Sequence, residues 1–224
     1  MADNEGKITQ RRDTMTADQR NGEPLRVLSI SGSLRKASFN RGLLRAAQEV
    51  APDGMEITIF DIKPLPFYDG DLEAEGDPAS VVALKSAIRD ADAVLFATPE
   101  YNWGTSGALK NAIDWASRDR KEGSLMGKPA TVIGAGGRAG TARAQMQLHE
   151  TLAETGAVVM VKPGVQIQAF APGTFDSEGN LIDEKTKELL RHHLDEFTNW
   201  SARLLWPRQF VGHACEMDIA LTHV

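Results

Sequence analysis

The stretch Pro99-Glu100-Tyr101-Asn102-Trp103-Gly104 gathers a carboxylate, a phenol, an amide and an indole directly behind the apolar run AVLFAT (93–98). No nucleophile paired with a base is visible there, so the groups suit holding a reactive cofactor better than serving as its acid or base. A flat, partly polar ligand can lie on Tyr101 while Asn102 and backbone groups bond its edge. Gly104 and Gly107 let backbone come close. The alternative is an ordinary loop in which Tyr101 and Trp103 merely pack. No catalytic role falls to Glu100.

A second cluster is SGSLRKASFN (31–40). Gly32 permits a tight turn, Ser33 and Ser38 bring hydroxyls, Arg35 a fork of charged donors and Asn40 an amide. Placed between a strand and a helix, they would share their position with unpaired backbone N–H groups and the positive end of the helix dipole. That is an anion site, and a phosphate fits it. The plainer reading is a strand-to-helix turn with Ser38 as N-cap. The Gly-x-x-x-x-Gly-Lys-Ser/Thr phosphate loop is absent, which argues against a nucleoside triphosphatase.

The third cluster, GAGGRAG (134–140), places Gly134, Gly136 and Ala139 at the spacing of a dinucleotide fingerprint. That fingerprint belongs to a first strand and needs an acidic residue at the end of the next one, whereas the next strand here ends in Lys162. Backbone without side chains facing a planar ring is the better account. Arg138 either stays solvated or meets a phosphate of a nicotinamide cofactor.

Strand ends must position these loops. LRVLSIS (25–31), MEITIF (55–60), DAVLFAT (92–98), PATVIGA (129–135) and AVVMV (157–161) read as strands. Helices are expected from Ser38 to about Val50, over 78–91, from Ser106 to Arg118, over 139–156 and over 183–206. The segment 61–77, with its prolines and glycines, reads as a loop. Five strands alternating with helices predict an α/β fold, a doubly wound parallel sheet with helices on both faces. Ligands of such sheets sit beyond the carboxyl ends of the strands, where the three clusters fall. Trp115 is expected in the core, as are Leu190, Leu194, Phe197 and Leu204, which share one helix face.

The chain has 224 residues, 42% of them apolar, enough for a sizeable core. A net charge of −6 argues against a nucleic-acid partner. Cys215 is the single cysteine, which excludes an intrachain disulfide and suits a reducing, cytoplasmic setting. No apolar run is long enough to span a membrane. Residues 1–23, poor in apolar residues and aperiodic, read as a disordered arm. The compact domain is expected over 24–206, and 207–224 read as a tail that is loose or docks on a partner subunit. His192, His193 and Glu196 read as a solvated helix face rather than a metal site. The acidic DGDLEAEGD (69–77) lacks the spacing of a calcium loop and reads as solvated surface.

Taken in order and on those strand ends, SGSLRKASFN, PEYNWGTSGALKNAIDW and GAGGRAG closely resemble the NADPH-dependent FMN reductase family, nearest to its bacterial quinone and chromate reductases. The resemblance covers about 25–170. It implies a flavodoxin-like fold, FMN as cofactor, NADPH or NADH as hydride donor, a small-molecule acceptor such as a quinone or chromate, and a homodimer or homotetramer with the flavin near a subunit interface. It implies that Ser33, Arg35, Ser38 and Asn40 hold the FMN phosphate. Pro99, Glu100, Tyr101 and Asn102 would line the ribityl chain and ring, and Gly136 and Gly137 would face the isoalloxazine. Tyr101 and Arg138 would border the substrate pocket. Other readings of the same chain are a flavodoxin-type electron carrier and a non-catalytic flavin-binding sensor.

Overall fold

The structure, a computed structural model, describes residues 23–118 and 123–205. Nearly all of the N-terminal arm, Cys215 and the tail 207–224 lie outside the described residues. The elements in chain order are β1 (Leu25–Ser31), α1 (Phe39–Glu49), β2 (Met55–Phe60), α2 (Gly70–Glu75), α3 (Ala79–Asp90) and β3 (Ala93–Ala97). They continue with α4 (Gly107–Ser117), β4 (Pro129–Gly136), α5 (Ala142–Glu154), β5 (Val158–Gln168) and α6 (Glu184–Leu205).

The strands form one parallel five-stranded sheet in the order β2-β1-β3-β4-β5. The chain leaves β1 for β2 on one side and returns to β3 on the other. The winding therefore reverses between β1 and β3, and the connections diverge there to leave a crevice beyond the strand ends. Every residue of β3 is buried, because the sheet is covered on both faces and a two-residue alternation has no solvent side to report.

The two faces have separate cores. Leu43 and Leu44 of α1 and Leu190, Leu194 and Phe197 of α6 pack on the face that carries Leu25, Val27 and Leu95. The opposite face carries Leu28, Ile30, Val94 and Phe96 beneath α3, α4 and α5, with Trp115 fully buried as expected. Each large side chain so buried contributes about 2 kcal/mol by removal from water. Leu204 departs from its expected role: it is 42% exposed.

Three further readings change. The segment 61–77 contains the short helix α2, whose N-cap Asp69 accepts from the Asp71 N–H, a local bond that composition alone does not reveal. Its acidic surface is not simply solvated. Glu73 accepts from the Tyr68 hydroxyl at 2.8 Å and pairs with Arg118, and Asp77 pairs with the buried Lys85 at 2.7 Å. Strand β5 runs past Lys162-Pro163-Gly164 to Gln168, where the sequence reading stopped at 161. Its register with β4 shifts between Thr131 and Ile133, so the proline falls in a bulge instead of ending the strand.

His193 supports that bulge from α6 and is 1% exposed, not solvated. Its Nδ1 lies 2.7 Å from the Pro163 carbonyl, which can only accept, so Nδ1 carries the proton. Nε2 then faces the Thr131 hydroxyl at 3.2 Å. Burial pushes the imidazole down to about 4, the Pro163 carbonyl opposing that shift only in part.

Candidate functional site

The loops after β1, β3 and β4 converge on the switch point. Gly32 begins the first, and its φ is not positive; what requires glycine is proximity. A Cβ there would stand 2.8 Å from Ser106 Oγ and 2.9 Å from Pro99 Cδ. Ser106 donates its hydroxyl to the Gly32 carbonyl at 2.6 Å and accepts from the Leu109 N–H as N-cap of α4. One serine thus joins the loops on either side of the crevice.

In the first loop Ser33 is buried and Arg35 exposed, its guanidinium 5.6 Å from the centre of the Phe39 ring. The backbone N–H groups of residues 34–37 donate to none of the described residues. Ser38 caps α1, accepting from the Arg41 N–H at 3.2 Å. The first turn of α1 has no acidic residue, so nothing on the helix offsets the positive end of its dipole. Asn40 is placed differently from its neighbours. Its amide reaches across to the end of β4, donating to the Ala135 carbonyl at 3.0 Å and accepting from the Ala135 N–H at 2.9 Å. It ties the first loop to the third, and of its donors only the second amide hydrogen is left for an anion.

The loop after β3 is a tight reversal. Tyr101 and Gly104 exchange backbone hydrogen bonds of 3.0 and 3.1 Å, with Asn102 at φ +49° and Trp103 at φ +69° between them. Positive φ at both central residues marks a type I′ turn. Neither aromatic residue packs away: Tyr101 is 50% and Trp103 73% exposed. Glu100 points back at α5, where its carboxylate accepts from the Arg143 and Ala144 N–H groups at 3.0 and 3.2 Å. It also pairs with the Arg143 guanidinium at 2.9 Å. It neutralises the positive end of that helix, so both its oxygens are already engaged.

The glycine loop divides by function. A Cβ on Gly134 would lie 1.9 Å from Thr141 Oγ1 and 2.6 Å from the Thr98 carbonyl; one on Gly136 would lie 2.5 Å from the Gly140 carbonyl. These two are glycine because the loop and the start of α5 press against the strand. Gly140, at φ +59°, closes the turn on Gly137. Gly137 would meet nothing within 4 Å, so there the missing side chain opens onto free space. Arg138, at the tip, is exposed.

Residues 25–171 match the sequence model of NADPH-dependent FMN reductases. The chain belongs to that family. An NAD(P)H-dependent FMN reductase of Pseudomonas aeruginosa is 46% identical over 183 residues, 81% of this chain and 98% of the relative. An NADPH:quinone oxidoreductase of Arabidopsis thaliana is 43% identical over 185 residues, covering 80% and 93% of the two chains. Among solved structures, the flavoenzyme FerB, an NAD(P)H:(acceptor) oxidoreductase of Paracoccus denitrificans, superposes with a TM-score of 0.73 at 41% identity, over 80% of this chain and 97% of that one. The flavodoxin-like fold of this FMN reductase family member accords with the sheet order above.

The residues fit FMN. A phosphate needs donors free of competing carboxylates, which the loop before α1 offers through Ser33, Arg35 and the N–H groups of 34–37. A planar ring needs an exposed aromatic and open backbone, which Tyr101 and Gly137 supply. Sequence reading missed the residues of α5 that hold this end of the site, Arg143 and Gln147. Gln147 accepts the Thr105 N–H at 2.8 Å. Their only signal was a spacing of four on a helix directly after the glycine loop.

Proposed function

We propose that this FMN reductase family member is an NAD(P)H oxidoreductase that holds FMN at the β1/β3 switch point and delivers electrons to quinones, chromate or similar small acceptors in a ping-pong cycle. The observation that carries the reading is the β1–α1 loop, where free N–H groups, Ser33 and Arg35 surround a helix N-terminus whose first turn holds no acidic residue. When bound, FMN supplies hydride acceptance from nicotinamide and electron transfer to the acceptor.

The chain's residues position and shield. Ser33, Arg35 and the start of α1 hold the phosphate, Ser38 fixing the helix start and Asn40 the neighbouring β4 end. Pro99, Glu100, Tyr101 and Asn102 line the ribityl chain and ring, Glu100 doing so as an anchored wall. Gly137, with Gly136 behind it, leaves room over the ring. Tyr101 borders the pocket that NADPH or NADH and acceptor occupy in turn, and Arg138 stands at its rim to meet a phosphate of the dinucleotide.

No described helix is long and apolar enough to cross a membrane. The same reading takes the protein as cytoplasmic and as a homodimer or homotetramer. Exposed Leu34, Phe67 and Phe170 support the latter. The test is an anaerobic titration of the FMN-reconstituted protein with NADPH. Bleaching of the flavin's visible band by one equivalent is expected. A flavin that binds and stays oxidised would leave an electron carrier or a sensor instead.

A further inference from the structure

Trp103 combines two unfavourable features. A positive φ is disfavoured for any residue with a Cβ, and a bulky one is rare there; Trp103 has φ +69°. Its indole is also 73% exposed, so the conformation is not repaid by burial. Strain of this kind persists only where the surroundings impose it, and it gathers at binding sites.

The surroundings are specific. The Arg143 guanidinium lies 4.3 Å from the centre of the indole and covers one face. Glu100 fixes Arg143 through both its side chain and its backbone N–H. One turn further along α5, Gln147 accepts from the Thr105 N–H and secures the far side of the turn. The same helix face therefore grips the turn at both ends. The second face of the indole is free, close in sequence to the half-exposed Tyr101.

Resting on the reductase reading above, we infer that Trp103 is a stacking surface for a planar aromatic acceptor, a quinone ring, and that Arg143 is the positioning residue that holds it. An electron-rich indole attracts an electron-poor ring. A quinone is one and its hydroquinone product is not, so the platform draws the acceptor in and lets the reduced product go. Inorganic acceptors have no π face to stack, so Trp103 sets a preference among acceptors.

The test compares the FMN-loaded wild type with Trp103→Ala and Trp103→Phe, using 1,4-naphthoquinone and ferricyanide as acceptors. Trp103→Ala is expected to lower the ratio of kcat/KM for naphthoquinone to that for ferricyanide about fivefold to tenfold, chiefly through KM, with Trp103→Phe recovering most of the loss. Without NADPH, the naphthoquinone concentration that perturbs the flavin's visible band should rise by a similar factor in Trp103→Ala. Equal losses with both acceptors would overturn the inference. So would slower flavin bleaching by NADPH to the same extent, which would assign the indole to the donor, or a changed sedimentation coefficient, which would assign it to a contact between copies. Wild-type flavin that fails to bleach with NADPH sinks the reductase reading alone, and the naphthoquinone perturbation then still decides the stacking.

Discussion

Two helices, α1 and α5, start at the same end of the sheet, and their N-termini are treated in opposite ways. The start of α5 is closed by the protein itself, since Glu100 accepts from two of its N–H groups and pairs with Arg143. The start of α1 carries no acidic residue, and the loop before it leaves its N–H groups without described partners. A helix N-terminus attracts an anion either way. Where the chain supplies its own carboxylate the helix end is closed, and where it withholds one the N–H groups stay available to an anion. The contrast explains how one strand end can gather several polar residues of which only some can serve a ligand.

The largest effect should come from the bond that joins the two regions. Asn40→Ala leaves both the N–H and the carbonyl of the buried Ala135 unpaired, and stability measured by urea unfolding is expected to fall by about 4 kcal/mol. A loss below about 1 kcal/mol would mean that the loops do not depend on each other.

Acid should next strike where polar groups are satisfied internally. His193 is pushed down to about 4 in the fold against an ordinary value of 6.5. Below pH 6.5 the unfolded chain therefore takes up its proton first. The contribution is complete above that pH and is lost as pH falls towards 4, on the order of 3 kcal/mol in all. His193→Gln should flatten the decline between pH 6.5 and 4 in a series of denaturant midpoints.

The open end should respond in ligand affinity. Arg35→Ala is expected to weaken FMN binding by about 2 kcal/mol, roughly thirtyfold, in a fluorescence titration, because a charged hydrogen bond is lost. Unchanged affinity would remove the phosphate site from the β1–α1 loop.

At the closed end, Glu100→Gln keeps the shape and removes the charge. The carboxylate side chain is 12% exposed and its partner Arg143 45%, so solvent screens the pair in part. A stability loss of about 1 kcal/mol follows, mostly from the helix end. Smallest of all, Trp103→Gly relieves the left-handed backbone and gives up the Arg143 contact, two terms of about 1 kcal/mol with opposite sign. Its thermal midpoint should stay within about 3 °C of the wild type. A larger fall would show that the indole serves the fold.

Much of this molecule was legible in its sequence. The strand runs, the Ser38 cap, the buried Trp115 and the placement of three polar loops on strand ends follow from local patterns, and local patterns are what periodicity and capping chemistry report. Misreadings arose where a residue's role is set by something distant in the chain. The apolar run AVVMV ends at 161, yet a bulge shored up by His193 from α6 lets β5 continue past Pro163. The pattern of glycines in the third loop does not tell which of them are required by packing: Thr141 and Gly140 crowd Gly134 and Gly136, whereas Gly137 meets nothing.

The sequence by itself thus determined the layered parallel sheet and the end of it that carries the site, since hydrophobic period and strand-helix alternation leave few other arrangements. Only the tertiary structure decided which polar groups remain free. Asn40 and Glu100 have the same chemistry in the sequence whether or not Ala135 and Arg143 reach them. A hydrogen bond between residues far apart in the chain is a property of the packed molecule, and it separates a residue that binds from one that holds the binding site in place.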